Sequence, residues 1–123
     1  MKRVLLKLSG ESFASEKLGF GVDSSIIENI ATEISLALED EVQVAIVVGG
    51  GNFFRGVQES AKNMEQANAD YMGMLATVIN AVALKDSLDR IGVQTRVQSA
   101  ITMTSIAEPV SYTHLTLPTK RIV

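Results

Sequence analysis

The stretch Val44-Ala45-Ile46-Val47-Val48-Gly49-Gly50-Gly51-Asn52-Phe53-Phe54-Arg55 decides the fold. An apolar, largely β-branched run leads straight into three glycines, and an arginine follows. Such a run reads as a strand covered on both faces of a parallel sheet. It ends at the carboxyl edge, where α/β proteins place their ligands. Glycines lack a Cβ, so their N–H groups can approach an anion closely and take the positive φ values that aim successive donors at one centre. Arg55 adds a planar, permanently charged fork suited to phosphate oxygens. Glycines that serve only the geometry of a tight strand-to-helix turn would give the same string.

A second loop favours the phosphate reading. Val4-Leu5-Leu6 reads as another short buried strand, and it breaks at Lys7-Leu8-Ser9-Gly10-Glu11. A lysine at a strand end followed by Ser-Gly supplies a point charge, a hydroxyl and an accessible backbone N–H at the same edge of a sheet. A solvated edge lysine would look alike in isolation, but here two loops rich in glycine and basic residues end two predicted parallel strands.

The remaining pattern alternates helix and strand. Asp23-Ser24-Ser25 offers N-cap side chains ahead of Ile26, Ile27, Ile30, Ala31 and Ile34, which predicts a helix over 24–38. Glu39, Asp40 and Glu41 form a solvated acidic turn, and the strand Val42–Val48 follows. A longer helix is predicted from Glu65 to Ile91, with Met74, Leu75, Val78, Ile79, Val82 and Leu88 at helical spacing. Between Tyr71 and Leu84 it carries no charge. That run is too short to span a membrane and is interrupted by Asn80, so it reads as deeply buried or facing another subunit, with Met72 and Met74 as core filling. Gly92 stops the helix, and Val93–Val97 reads as a third strand. Strand, helix, strand, helix, strand gives a parallel, Rossmann-like α/β sheet with right-handed crossovers.

Composition sets bounds on function. The 123 residues are enough for one modest core, and 46% hydrophobic content places the chain among globular proteins. A formal charge of -3 disfavours general binding to nucleic acid or acidic membranes, so any phosphate site is local. The chain has no cysteine, which excludes disulfides, thiolate catalysis and cysteine-ligated zinc. Lys7 interrupts the apolar run at the start long before it reaches the length of a signal-peptide core, and a cytoplasmic location is expected. No metal cluster with ligand spacing is visible.

Four motifs together resemble a known family. Lys7-Leu8-Ser9-Gly10-Glu11, Gly19-Phe20-Gly21, Val47-Val48-Gly49-Gly50-Gly51-Asn52-Phe53-Phe54-Arg55-Gly56 and Ala69-Asp70-Tyr71-Met72-Gly73-Met74-Leu75-Ala76-Thr77 are similar, in order and spacing, to those of the bacterial UMP kinases of the amino acid kinase superfamily. The resemblance covers residues 1–109, the N-terminal portion of that domain. It implies transfer of a phosphoryl group from ATP with Mg²⁺ to UMP, giving UDP and ADP in pyrimidine nucleotide biosynthesis. Such a transfer needs positioned donors around oxygens more than a strong base.

Carried over by motif, Lys7, Leu8, Ser9 and Gly10 cradle the ATP phosphates, and Lys7 neutralises charge on the transferred group. Gly51 and Arg55 also touch ATP, whereas Gly50 and Asp70 hold UMP. Asp70 would accept hydrogen bonds from ribose hydroxyls, since a carboxylate repels phosphate. On residue chemistry alone it is an ordinary acid near the start of a helix. Glu16, Lys17, Leu18, Gly19, Phe20 and Gly21 correspond to a region for activation by GTP, although one additional residue between Glu11 and Gly19 leaves its register open. The family also implies inhibition by UTP and a homohexamer.

After Pro109 the resemblance ends. Residues 110–123, Val110-Ser111-Tyr112-Thr113-His114-Leu115-Thr116-Leu117-Pro118-Thr119-Lys120-Arg121-Ile122-Val123, read as a tail of sequencing or cloning origin. His114, the only histidine, receives no role. The tail is expected to form at most a short strand, and the 123-residue chain is expected to be catalytically incomplete. Two other functions fit the same residues: a different member of the superfamily acting on a carboxylate or carbamate, and a non-catalytic fragment that oligomerises through the Tyr71–Leu84 helix.

Overall fold

Two parallel strands carry the two glycine loops. β1 (Lys2–Leu8) pairs with β2 (Val42–Val48) in a register that sets Val4 opposite Val44, Leu6 opposite Ile46 and Leu8 opposite Val48. The computed structural model describes residues 2–15, 21–38, 41–53, 65–99, 108–109 and 121–122. Between the two strands run a 3₁₀ turn (Gly10–Phe13) and helix α1 (Ser24–Leu38). Helix α2 (Gln66–Arg90) follows β2, and then come the short strands β3 (Arg96–Ser99), β4 (Glu108–Pro109) and β5 (Arg121–Ile122). All pairings are parallel, in the order β1-β2-β5-β3-β4. The parallel α/β fold expected from the alternating pattern is therefore present, and the two-residue β5 lies between β2 and β3.

Helix α1 occupies the predicted residues for the predicted reason. Asp23 Oδ1 accepts from the Ser25 N–H at 2.9 Å and the Ile26 N–H at 3.4 Å, satisfying two donors that the first turn leaves open. Ile27, Ala31 and Ile34 then fall on one buried face. They meet Val44, Ile46 and Val48 of β2, Ala81, Leu84 and Leu88 of α2, Val97 of β3 and Phe13. Both helices thus pack on the face that carries the even-numbered residues of β1 and β2. Each fully buried leucine here contributes about 1.5–3 kcal/mol relative to leaving it exposed.

The end of α2 displaces the third strand from its expected place. Gly92 takes φ 82°, its N–H donates to Asp89 O at 3.1 Å, and the Val93 N–H donates to Leu88 O at 2.9 Å. This is a Schellman cap with glycine in the left-handed position. It uses Val93 to close the helix, and Thr95 Oγ1 donates to Val93 O at 3.0 Å. The strand predicted over 93–97 consequently begins at Arg96.

Two burial expectations fail. β1 is the edge strand, and Val4 and Leu5 are 45% and 67% exposed instead of buried. Leu5 projects from the face opposite the helices, while Val4 borders a groove of about 420 Å³ with Leu6, Ile30, Ile34, Val42 and Val44. Met72 and Met74, expected in the core, are 37% and 38% exposed. Tyr71, Leu75 and Ile79, four residues apart on α2, are exposed as well. The packed side of α2 carries the small residues Ala69, Ala76 and Ala81 together with Val78, Leu84 and Leu88.

Candidate functional site

The adjacency of β1 and β2 brings the two glycine loops together. Leu8 and Val48 lie side by side at the carboxyl edge, so the segments after them emerge next to each other. The Gly49 N–H donates to the Leu8 carbonyl at 2.9 Å, which carries the ladder one step past the strands. Gly10 then sits directly against the glycine loop. A Cβ at Gly10 would lie 2.3 Å from Gly51 N, 2.7 Å from Gly50 C and 2.8 Å from Gly50 N, so only glycine fits.

The glycine loop is held from a second side by α2. A Cβ at Gly50 would lie 2.9 Å from Ala76 Cβ and 3.1 Å from the Gly73 carbonyl oxygen. Three segments far apart in sequence, Ser9–Glu11, Gly49–Gly51 and Gly73–Thr77, therefore converge. Among the described residues, the N–H groups of Gly50 and Gly51 meet no acceptor. Residues 51–53 are helical, and the Phe53 N–H donates to the Gly50 carbonyl at 3.1 Å. Open donors and a helical start are what an anion requires of a backbone.

Lys7 and Ser9 frame this meeting point. Lys7 is exposed on β1, opposite Val47 and on the sheet face away from α1 and α2. Ser9 caps the 3₁₀ turn, its Oγ accepting from the Glu11 N–H at 3.3 Å. The Ser9 hydroxyl proton stays available to a ligand oxygen. Asp70 is exposed on α2, accepting from Gln66 Nε2 at 2.8 Å. It precedes Gly73 by one helical turn on the same stripe, about 5 Å farther along the axis from the contact with Gly50. The predicted residues Lys7, Leu8, Ser9, Gly10, Gly50, Gly51 and Asp70 thus gather around one edge of the sheet. Arg55, Glu16, Lys17, Leu18, Gly19, Phe20 and the 110–120 part of the tail with His114 lie outside the described residues.

Sequence reasoning overlooked a pair of asparagines that hold the loop. Asn52 and Asn80 are 1% and 0% exposed and exchange amide hydrogen bonds of 2.9 and 2.7 Å. Asn80 Nδ2 also donates to the Gly49 carbonyl at 2.7 Å, and Asn52 Nδ2 to the Gly21 carbonyl at 2.8 Å. The Gly21 N–H returns a bond to the Asn52 carbonyl at 2.9 Å. A signal existed: Asn80 interrupts the uncharged run 71–84, and a polar side chain in a buried helix face demands a partner.

The family model for the amino acid kinase family matches residues 2–119. This chain belongs to the amino acid kinase family. The matched range runs past Pro109, where the motif resemblance ends. Among solved structures, UMP kinase from Bacillus anthracis is 35% identical with a TM-score of 0.85, over 98% of this chain and 51% of that one. UMP kinase from Ureaplasma parvum is 30% identical with a TM-score of 0.86, over 99% of this chain and 55% of that one. The chain therefore spans about half the length of the UMP kinases it resembles. Aspartate kinase from Synechocystis shares the fold, at 15% identity and a TM-score of 0.68, over 97% of this chain and 21% of that one. In this amino acid kinase chain, Gly10 brings the first glycine loop into contact with Gly50 and Gly51 of the second.

Proposed function

We propose that this chain supplies the phosphate-holding part of a kinase that transfers the γ-phosphoryl group of MgATP to UMP. An oxygen of the UMP 5′-phosphate forms the new bond to the γ-phosphorus. The bond from that phosphorus to the β–γ bridging oxygen breaks, and ADP leaves with the electron pair; the products are UDP and ADP. The observation that carries this reading is the meeting of Ser9-Gly10 with Gly49–Gly51 beside Lys7, with α2 bringing Asp70 to the same edge. Backbone N–H groups bind phosphate oxygens without a reorganisation cost, and the Lys7 ammonium offsets charge as it builds up. In this reading Lys7, Leu8, Ser9, Gly10, Gly51 and Arg55 contact ATP, while Gly50 and Asp70 contact UMP. Mg²⁺ arrives as part of the nucleotide substrate.

The same reading includes a place in pyrimidine nucleotide biosynthesis, a cytoplasmic location, activation by GTP through residues 16–21, inhibition by UTP and a homohexamer. Support for assembly comes from Tyr71, Leu75 and Ile79, which form an exposed apolar stripe on α2. No helix among the described residues is long and apolar enough to cross a membrane. Because the chain spans about half of the solved relatives, we propose that its 123 residues alone lack useful kinase activity.

The test incubates the purified chain with MgATP and either UMP, aspartate or carbamate, following ADP release, and measures binding of each acceptor separately. Retention of UMP binding without turnover is the expected outcome. Measurable UDP formation would overturn the proposed inactivity, and binding of a small acid in preference to UMP would overturn the substrate. The α2 stripe also favours a second reading, a non-catalytic fragment that self-associates. Sedimentation of a Tyr71→Asp variant decides it: self-association that persists in the variant rules that stripe out.

A further inference from the structure

A phosphate loop made of glycine has no side chains with which to anchor itself, so its rigidity must be supplied by neighbours. Three contacts fix this one: the Gly49 N–H to Leu8, the Gly49 carbonyl from Asn80, and the Gly50 carbonyl from Phe53. The middle contact sets the aim. Within one planar trans peptide the carbonyl and the following N–H point in opposite directions. With the Gly49 carbonyl drawn to Asn80 Nδ2 at 2.7 Å, the Gly50 N–H is turned away from α2.

We propose that Asn80 is a positioning residue, which aims the Gly50 N–H at the bound phosphate through the Gly49 carbonyl while Asn52 locks the Gly21 turn to the same unit. This rests on the phosphate-binding reading of the glycine loop given above. The amide pair is closed. Each Nδ2 spends its two protons on one carbonyl of the backbone and one of the partner amide, and each Oδ1 accepts from that partner. Neither side chain sees solvent, so neither amide can turn over without leaving buried donors and acceptors unmatched. Asn80 touches no part of the proposed ligand itself. Its effect passes through one peptide plane.

The discriminating variant is the double substitution Asn52→Leu with Asn80→Leu in the full 123-residue chain. Replacing both amides removes the buried pair together and gives up only the two part-buried bonds to the Gly21 and Gly49 carbonyls, whereas a single Asn80→Leu also strands the Asn52 amide. Two readouts are taken: backbone order at the Gly50 and Gly51 amides in the ligand-free ¹⁵N-labelled chain, and affinity for inorganic tripolyphosphate by titration. The double variant should remain folded, with its unfolding midpoint lowered by the loss of the two bonds to backbone carbonyls. It should nevertheless show Gly50 order falling from roughly 0.85 to below about 0.6. Tripolyphosphate should bind on the order of tenfold more weakly, the loss typical when the partner behind a binding group is removed.

A folded double variant whose Gly50 amide keeps the parent's order overturns the proposal and leaves the pair merely structural. Failure of the parent chain to bind tripolyphosphate defeats the phosphate reading instead, and the amide order still judges Asn80. Should the double variant not fold, Asn52→Ser decides. It keeps the Asn80 bond to Gly49 and removes the side-chain bond to the Gly21 carbonyl, while the Gly21 N–H stays bonded to the main-chain carbonyl of residue 52, so Gly50 order should persist; loosening at Gly50 refutes the proposal.

Discussion

Replacing Gly10 by alanine would put a methyl group 2.3 Å from Gly51 N and under 3 Å from two atoms of Gly50. Ordinary contact between such atoms begins near 3.5 Å, so the two loops would have to part by about 1 Å. The glycine loop has little room to retreat. Behind it the Gly49 N–H is bonded to Leu8, and a Gly50 displaced toward α2 would run into Ala76 and Gly73. Overpacking against backbone on several sides therefore sets a cost of about 2–3 kcal/mol. With a urea m-value of roughly 1–2 kcal/mol/M for a chain of this size, the unfolding midpoint followed by circular dichroism should fall by about 1–3 M. Gly51→Ala is the matched control. Its Cβ would meet Glu11 at ordinary contact distance, 3.4 Å from the side chain and 3.9 Å from the backbone nitrogen, and stability should stay within about 0.5 kcal/mol of the parent. Gly21→Ala falls between them, since nothing lies within 4 Å but φ is 79°, which costs about 1–2 kcal/mol for an L-residue. Equal midpoints for the Gly10 and Gly51 variants would refute the claim that the two loops are in contact.

Three further outcomes follow from the same geometry. Asp23→Ala should lower stability by about 1 kcal/mol through loss of the cap on α1, with Asp23→Ser recovering most of it in the same urea titration. Leu84→Ala, at a wholly buried position, should cost about 2–5 kcal/mol, whereas Leu5→Lys on the open face of β1 should move the midpoint by less than about 0.5 kcal/mol; comparable losses would show that the open face is covered. Lys7→Ala should leave the midpoint unchanged while weakening tripolyphosphate at least about tenfold, as loss of a charge-assisted bond implies, and an unaltered titration curve would remove Lys7 from the site.

Local signals in the sequence carried far where local forces decide. The span of α1 follows from Asp23 and the spacing of Ile27, Ala31 and Ile34, and β2 from its β-branched run, because caps and periodicity act within a few residues. The end of α2 at Gly92 was legible, but the cost of its cap to the next strand was not, since that depends on which carbonyl Val93 finds. Burial was misjudged at Val4, Leu5, Met72 and Met74 for one reason. Hydrophobicity states what a residue would gain from cover and says nothing of whether another element provides it. The residues proposed for the site stand out in the sequence as glycines and charges at strand ends. Their mutual contact was not, because the closeness of Gly10 to Gly51 is a consequence of strand order.

The division of roles along α2 shows why the site could not be read one motif at a time. A backbone that binds through its own N–H groups must stay bare, and a bare backbone is intrinsically mobile. Order has to be imported, and α2 imports it with Gly73 and Ala76, small enough to let Gly50 approach, and with Asn80, which reaches the Gly49 carbonyl. Large apolar residues on that stripe would hold the helix off the loop, so they are placed on the opposite side, as Tyr71, Leu75 and Ile79. The uncharged character of the helix is thus two requirements superimposed: close approach to a peptide on one side and an apolar surface on the other. Asn80 belongs wholly to the first. A polar residue in the middle of an apolar stretch, which reads as a flaw in a buried helix, is the point at which the helix grips the loop.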